Sequence, residues 1–325
     1  MTAAAGMLAQ AGWHGSREEP VAADASDRSY VRLVRADGKS AVLMRAPVAA
    51  SVEARKQYDA FRRIAAWLRG AGLGAPAEIA ADPEAGLLLL EDLGRIPLSR
   101  LLEDDSPEAL PAYRAAVAAL ARVAAAEAPC GLDRPSPEGM SAMTGITFDQ
   151  LGGAGTLQAT LRDRLAERLA AVCDARPAVA LRDVHGDNLM WRPEREGVAR
   201  IGLLDFQDAL ILPDGYDLAS LVDDPRRVVP ASWRKDLIAD YAGARGLPEA
   251  ELSLRVDLLS LQRNIRILGI FRRLAHGMGR PAYARYLPRT RALLLRAAAN
   301  PGLADLGPLV GDLVDRTAPW QEVAA

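Results

Sequence analysis

Apolar positions along this chain repeat with two periods, and the switches between them lay out the elements. Tyr30 to Val34 and Ala41 to Met44 are short apolar runs on either side of Asp37-Gly38, which predicts a β-hairpin. From Glu53 to Arg69 the period becomes helical. Tyr58, Phe61, Ile64, Ala65 and Leu68 share one face, and the run stops at Gly70 to Gly74 with Pro76 beyond. Ala77 to Ala80 and Gly86 to Leu90 read again as strands, around a turn at Asp82-Pro83. After Leu98 the helical period dominates. Pro107 to Ala126 and Leu157 to Ala171 predict helices, joined by a Gly/Pro/Ser-rich connector, Gly131 to Gly145, that reads as loop or lid. The C-terminal third predicts helices over Ser232 to Arg245, Pro248 to Met278 and Pro281 to Ala299, and residues 1–12 read as a short helix or a frayed end.

One stretch breaks this regularity. Val179 to Leu181 is apolar, and a polar cluster follows, Arg182-Asp183-Val184-His185-Gly186-Asp187-Asn188. Leu189 to Trp191 and Ile201 to Leu204 are strands flanking a polar turn centred on Glu194 to Gly197, and the second strand delivers Asp205-Phe206-Gln207-Asp208. Phosphoryl transfer from ATP needs a carboxylate to accept or orient the proton of the attacking hydroxyl. It also needs an amide oxygen and a second carboxylate to hold magnesium against the phosphates. Asp183 and Asn188 stand five apart on one loop, and a tight hairpin brings Asn188 and Asp205 to the same edge. An ordinary hairpin with solvated acids is the plainer alternative; the agreement of the spacings with their strand context favours a phosphoryl-transfer site.

Composition adds exclusions. The chain has 325 residues, half of them hydrophobic, enough for one large domain or two smaller ones with a sizeable core. A net charge of -2 and a pI near 6.0 give no reason to expect nucleic acid as a partner. Cys130 and Cys173 form no motif, which suits a reducing cytosol and a cytoplasmic location. No signal peptide is expected, and aliphatic runs such as Leu87 to Leu90 are too short to span a bilayer. The only lysines are Lys39, Lys56 and Lys235.

The central stretch resembles the catalytic and metal loops of the protein-kinase-like superfamily. It resembles most its aminoglycoside phosphotransferase and choline kinase branch, whose metal loop runs Asp-Phe-Gly-Asp-Ala. This chain has Asp205-Phe206-Gln207-Asp208-Ala209, with Gln207 in the glycine's place. His185-Gly186-Asp187 spells the string that marks the catalytic Asp in many relatives. Five beyond Asp187, however, stands Arg192, which cannot ligate magnesium, whereas five beyond Asp183 stands Asn188. Spacing therefore makes Asp183 the base. The resemblance spans nearly the whole chain and implies an α+β, bilobal protein-kinase-like fold. Residues 1–93 would be a β-rich, nucleotide-binding N-lobe, and 94–325 a mainly helical C-lobe with the catalytic loop, metal loop and sugar-binding helices.

It implies ATP and Mg2+ as cofactors, with Asp183 catalytic and Asn188 and Asp205 on the metal. The polar stretch holding Ser26, Arg28 and Ser29 occupies the place where kinases cover the ATP phosphates, with backbone N–H groups available to an anion. The strand ending at Leu90 would lead into a hinge where adenine bonds the Glu91 carbonyl and the Leu93 N–H. Asp217 resembles the acid that braces the catalytic loop from within the C-lobe. One family feature is missing. Met44 stands where the third strand usually carries a lysine, and Arg45 points to the opposite face. Arg28, Arg32 or Arg45 would replace that charge, or magnesium and the loop carry it alone.

Three strings, Arg182 to Met190, Leu204 to Ala209 and Gln262 to Phe271, are similar to bacterial kinases that act on the anomeric hydroxyl of N-acetylmuramate and N-acetylglucosamine in cell-wall recycling. The resemblance implies a small sugar substrate and an α-1-phosphate product passed to a nucleotidyltransferase. Asp208, Arg263, Asn264 and Arg266 are the candidate substrate residues. Arg263 and Arg266, three apart on one helix face among Leu, Ile and Phe, suit a neutral sugar or the lactyl carboxylate of N-acetylmuramate. Two alternatives remain: a kinase of an aminoglycoside, choline or homoserine, whose cationic acceptors would call for acids here, and a nucleotide-binding pseudokinase, against which Asp183, Asn188 and Asp205 are all intact.

Overall fold

The computed structural model describes residues 3–21, 28–173 and 176–321, so Ser26 lies outside the described residues. The chain packs as two compact units, Met1–Arg122 with Gly186–Ala209, and Val123–His185 with Leu210–Ala325. These divide the chain by packing, whereas the expected 1–93 and 94–325 divide it by role.

In the first unit, α1 (Ala3–Gln10) and β1 (Arg17–Pro20) precede the predicted hairpin of β2 (Ser29–Val34) and β3 (Ser40–Arg45). Its turn closes through Gly38, at φ 82°, and through Asp37, whose carboxylate accepts from the Lys39 N–H at 3.1 Å. Helix α2 (Val52–Gly70) starts at Ser51, whose hydroxyl oxygen accepts from the Ala54 N–H at 3.0 Å, and buries the predicted stripe of Tyr58, Phe61, Ile64, Ala65 and Leu68. With β4 (Glu78–Asp82) and β5 (Leu87–Glu91) the strands make an antiparallel sheet in the order β1-β2-β3-β5-β4. β1 has no alternation to betray it: Arg-Glu-Glu-Pro is a charged edge strand held by its ladder to β2. α3 (Leu98–Glu103), most of α4 (Ala109–Ala125) and the hairpin of β7 (Leu189–Trp191) and β8 (Ile201–Leu203) complete the unit.

The second unit is mainly helical. It contains α5 (Pro137–Ala142), α6 (Gly145–Gln150), α7 (Thr156–Cys173), the strand pair β6 (Pro177–Ala180) and β9 (Leu210–Pro213), then α8 (Tyr216–Val222), α9 (Ala231–Arg245), α10 (Glu249–Arg272), α11 (Leu287–Ala298) and α12 (Gly307–Thr317). α10 runs through its core and buries Leu252, Val256, Leu259, Ile265, Leu268 and Phe271. Gly269 lets α6 approach: a Cβ there would strike the Thr147 backbone, and the Thr147 hydroxyl donates to the Ile265 carbonyl while accepting from the Gly269 N–H. The helix predicted over 248–278 leaves the α-helical form after Arg272 for a π-helical turn, Arg273–Gly277. The connector expected as loop carries α5, because Ser136 caps it at 3.1 Å and Pro137 presets the first turn. Among the described residues no helix is long and apolar enough to cross a membrane.

Candidate active site

The β7–β8 hairpin pairs Leu189 with Leu203, Met190 with Gly202 and Trp191 with Ile201. The Leu204 N–H donates to the Asn188 carbonyl at 3.0 Å, so Asn188 and Asp205 leave the hairpin from the same end. Two glycines seat it. Leu203 donates to the Gly74 carbonyl at 2.6 Å, where a Cβ on Gly74 would collide with the Ile201 carbonyl; Gly202 leaves room for the Leu93 side chain. Gly186 is a third close approach, its absent Cβ facing the backbone of Ser99 at the start of α3. The glycine of the His-Gly-Asp string is thus a packing requirement.

Asp205 takes a left-handed backbone, φ 57°, a conformation that costs a non-glycine residue about 1–3 kcal/mol and needs support from its surroundings. Phe206 supplies an anchor: it is fully buried and stacks on Phe61 of α2 at 4.9 Å between ring centroids. The Asp205 carboxylate is held as well. Arg28 donates to Oδ1 at 3.0 Å and the Gln207 side-chain amide donates to the same oxygen at 2.9 Å. Gln207 also reaches Asp208 Oδ2 at 3.4 Å.

Of the three arginines considered for the absent lysine, Arg28 is the one bonded to Asp205. Arg32 is committed elsewhere, as a fork onto Asp92 at 2.6 and 3.0 Å and to the Gly94 carbonyl at 2.9 Å. Burial works to raise the Asp92 pKa, but the bonds from Arg32, Ser40 and the Gly94 N–H outweigh it and hold the carboxyl below its ordinary value. Met44 is fully buried in the sheet's core, so no charge could stand at its position without desolvation. At the expected hinge, the Glu91 carboxylate accepts from Arg192 at 2.8 Å and from Arg195 at 3.4 Å, and Leu93 is buried. Arg192, excluded by its chemistry as a metal ligand, clamps the end of β5 to the β7–β8 hairpin, a role with no local signal in the sequence. Ser29 opens β2 opposite Arg45 and is exposed.

In the second unit, Arg182 is the other non-glycine residue of this stretch in the left-handed region, at φ 75°. Asp217 holds it: its two carboxylate oxygens accept from the Leu181 N–H at 2.6 Å and the Arg182 N–H at 3.0 Å, while Ser220 donates to the Arg182 carbonyl at 3.3 Å. The bracing role expected of Asp217 is therefore seen in its bonds. Burial raises its pKa to about 6 against those two N–H donors. Asp183 follows directly, its N–H donating to the Leu181 carbonyl at 3.0 Å.

Burial pushes the Tyr216 phenol up, while the charges of Arg263, Arg266 and Arg182 pull against it. The α10 arginines thus share an electrostatic neighbourhood with the Asp183 loop. Arg263 is 2% exposed, and Asn264 is fully enclosed, its amide donating to Ser260 at 3.1 Å and to the Asp223 carbonyl at 3.4 Å. Arg266 is half-buried and retains surface for a ligand.

This arrangement defines a class. Residues 17–252 match the phosphotransferase enzyme family, and the chain belongs to that family. It is 35% identical to the N-acetylmuramate/N-acetylglucosamine kinase of Caulobacter vibrioides over 94% of both chains. It is 34% identical to the kinase of the same name from Pseudomonas aeruginosa, over 90% of this chain and 88% of that one. A choline/ethanolamine kinase family protein from Mesorhizobium loti has the same fold, with a TM-score of 0.66 at 14% identity over 94% of this chain and 96% of that one. The α+β, kinase-like fold expected from the sequence is the fold of the protein.

Proposed function

We propose that the protein is an ATP-dependent sugar kinase acting on the anomeric hydroxyl of N-acetylmuramate, N-acetylglucosamine or both. Its product would be the α-1-phosphate, in cell-wall recycling in the cytoplasm, in the form a nucleotidyltransferase consumes. The names and coverage of the two kinase relatives support the substrate. The observation that carries the chemistry is the β7–β8 pairing, which sends Asn188 and Asp205 out of one end of a hairpin just downstream of the braced Asp183 loop.

In this reading Asp183 takes the proton of the sugar hydroxyl. The hydroxyl oxygen forms its bond to the γ-phosphorus, the bond from that phosphorus to the bridging oxygen breaks, and ADP leaves with the electron pair. Asn188 and Asp205 are hard oxygen donors that suit magnesium. Among the described residues no three His, Cys, Asp or Glu gather into a metal cluster, so the fit is to an ion that takes its remaining ligands from phosphate and water. When bound, magnesium supplies positive charge against the phosphates. Arg28, already at Asp205, supplies the cation that Met44 does not. Ser29 flanks the phosphates, and the Glu91 carbonyl and Leu93 N–H take adenine. Asp208 meets a sugar hydroxyl and Arg266 reads the lactyl carboxylate; Arg263 contributes positive charge from within α10, and Asn264, held by Ser260 and the Asp223 carbonyl, lies beside it on the same helix.

The test is a panel of N-acetylmuramate, N-acetylglucosamine, an aminoglycoside, choline and homoserine with ATP and magnesium, read by ADP release and phosphorus NMR. A sugar 1-phosphate is the expected product. Phosphorylation of another acceptor with neither sugar turned over would overturn the reading.

A further inference from the structure

Position 207 is where this chain departs from the glycine of the family's metal loop, and the departure is built into the site. Gln207 is 7% exposed, its side chain folded back over the residues it adjoins. The amide nitrogen lies between two acids, donating to Asp205 Oδ1 at 2.9 Å and reaching Asp208 Oδ2 at 3.4 Å. The amide oxygen is enclosed and has no hydrogen-bond partner. A buried acceptor left without a donor is destabilising, so the side chain is not explained by its own comfort. What the amide does achieve is to give Asp205 a second donor beside Arg28, on the same carboxylate oxygen, with no added charge. A carboxylate held by two donors on one oxygen is fixed in rotation about its last bond, which a glycine at 207 could not accomplish.

We propose that Gln207 is a positioning residue: its buried side-chain amide ties Asp205 to Asp208 and fixes the Asp205 carboxylate in the orientation that receives magnesium. This rests on the reading of Asp205 as a metal ligand, and the experiment separates the two. Magnesium-dependent binding of ADP is measured by calorimetry, without turnover, on the full chain and on Gln207→Met, Gln207→Gly and Asp205→Ala. Methionine keeps the length and bulk of glutamine but donates nothing; glycine removes the side chain and serves if methionine does not fold. Both Gln207 variants should need about tenfold more magnesium for half-maximal ADP binding, as expected for losing one donor to a charged acceptor, with ADP binding in the absence of magnesium unchanged. A role confined to packing would lower the melting temperature without moving the magnesium requirement. If Asp205→Ala shifts the requirement and neither Gln207 variant does, the positioning role is refuted while the metal reading stands. If Asp205→Ala shifts nothing, the metal reading fails and this inference falls with it.

Discussion

Replacing Asp217 by Asn should destabilise the protein, and the size of the effect should depend on pH with a definite sign. The native carboxylate accepts two backbone N–H bonds, from Leu181 and Arg182, and is enclosed. An asparagine offers one oxygen and one NH2, so one buried donor is left facing another donor, at a cost of about 1–3 kcal/mol. Those bonds also hold Arg182 at φ 75°, so the loop ahead of Asp183 should relax and turnover should fall with nucleotide affinity nearly unchanged.

The pH dependence follows from burial, which raises the Asp217 pKa from 3.8 to about 6. Between those values the folded protein holds a proton that the unfolded chain has released. The stabilising contribution of the group is therefore present at low pH and is lost as pH rises through about 6. Asparagine does not titrate. The destabilisation by Asp217→Asn should then be larger at about pH 5 than at about pH 7.5, by roughly 1 kcal/mol. Denaturant unfolding of both proteins at the two pH values, followed by circular dichroism, measures it. An equal or larger penalty at the higher pH would falsify the assignment of a raised pKa to this carboxyl.

Asp183→Asn should lower turnover roughly 100- to 10,000-fold while ADP still binds; if Asp187→Asn is the lethal change instead, the spacing argument for the base is wrong. Arg266→Met should cost about tenfold or more in kcat/KM for N-acetylmuramate and much less for N-acetylglucosamine, the loss expected for one charge-assisted hydrogen bond. Equal losses for both sugars would assign Arg266 to the fold. Gly74→Ala should destabilise by about 1–3 kcal/mol and weaken magnesium-dependent nucleotide binding, because its methyl group would strike the Ile201 carbonyl and displace the hairpin that carries Asn188 and Asp205. A variant with unchanged melting temperature and affinity would show that the hairpin is not seated there.

What the sequence determined was whatever depends on near neighbours. The stripe of α2, the β2–β3 hairpin and the β7–β8 hairpin were legible because helical and strand periods, capping serines and turn glycines act over a few residues. The proximity of Asn188 and Asp205 followed from one hairpin register. α5 had a local signal too, Ser136 with Pro137, hidden by the Gly/Pro-rich composition around it.

Tertiary structure alone decided the partners of long charged side chains. Arg28, Arg32 and Arg45 were equal candidates in the sequence; only packing put Arg28 on Asp205, 177 residues away, and Arg32 on Asp92. It enclosed Arg263 and Asn264 and left Arg266 half-exposed on the same helix, because α10 runs through the core of its unit and its burial exceeds a single stripe. It also made a strand of the polar Arg17–Pro20 and paired β9 with β6. A period fixes which face of an element is apolar, but the choice of partner for that face, and for the charges at its rim, depends on contacts between residues far apart in the chain.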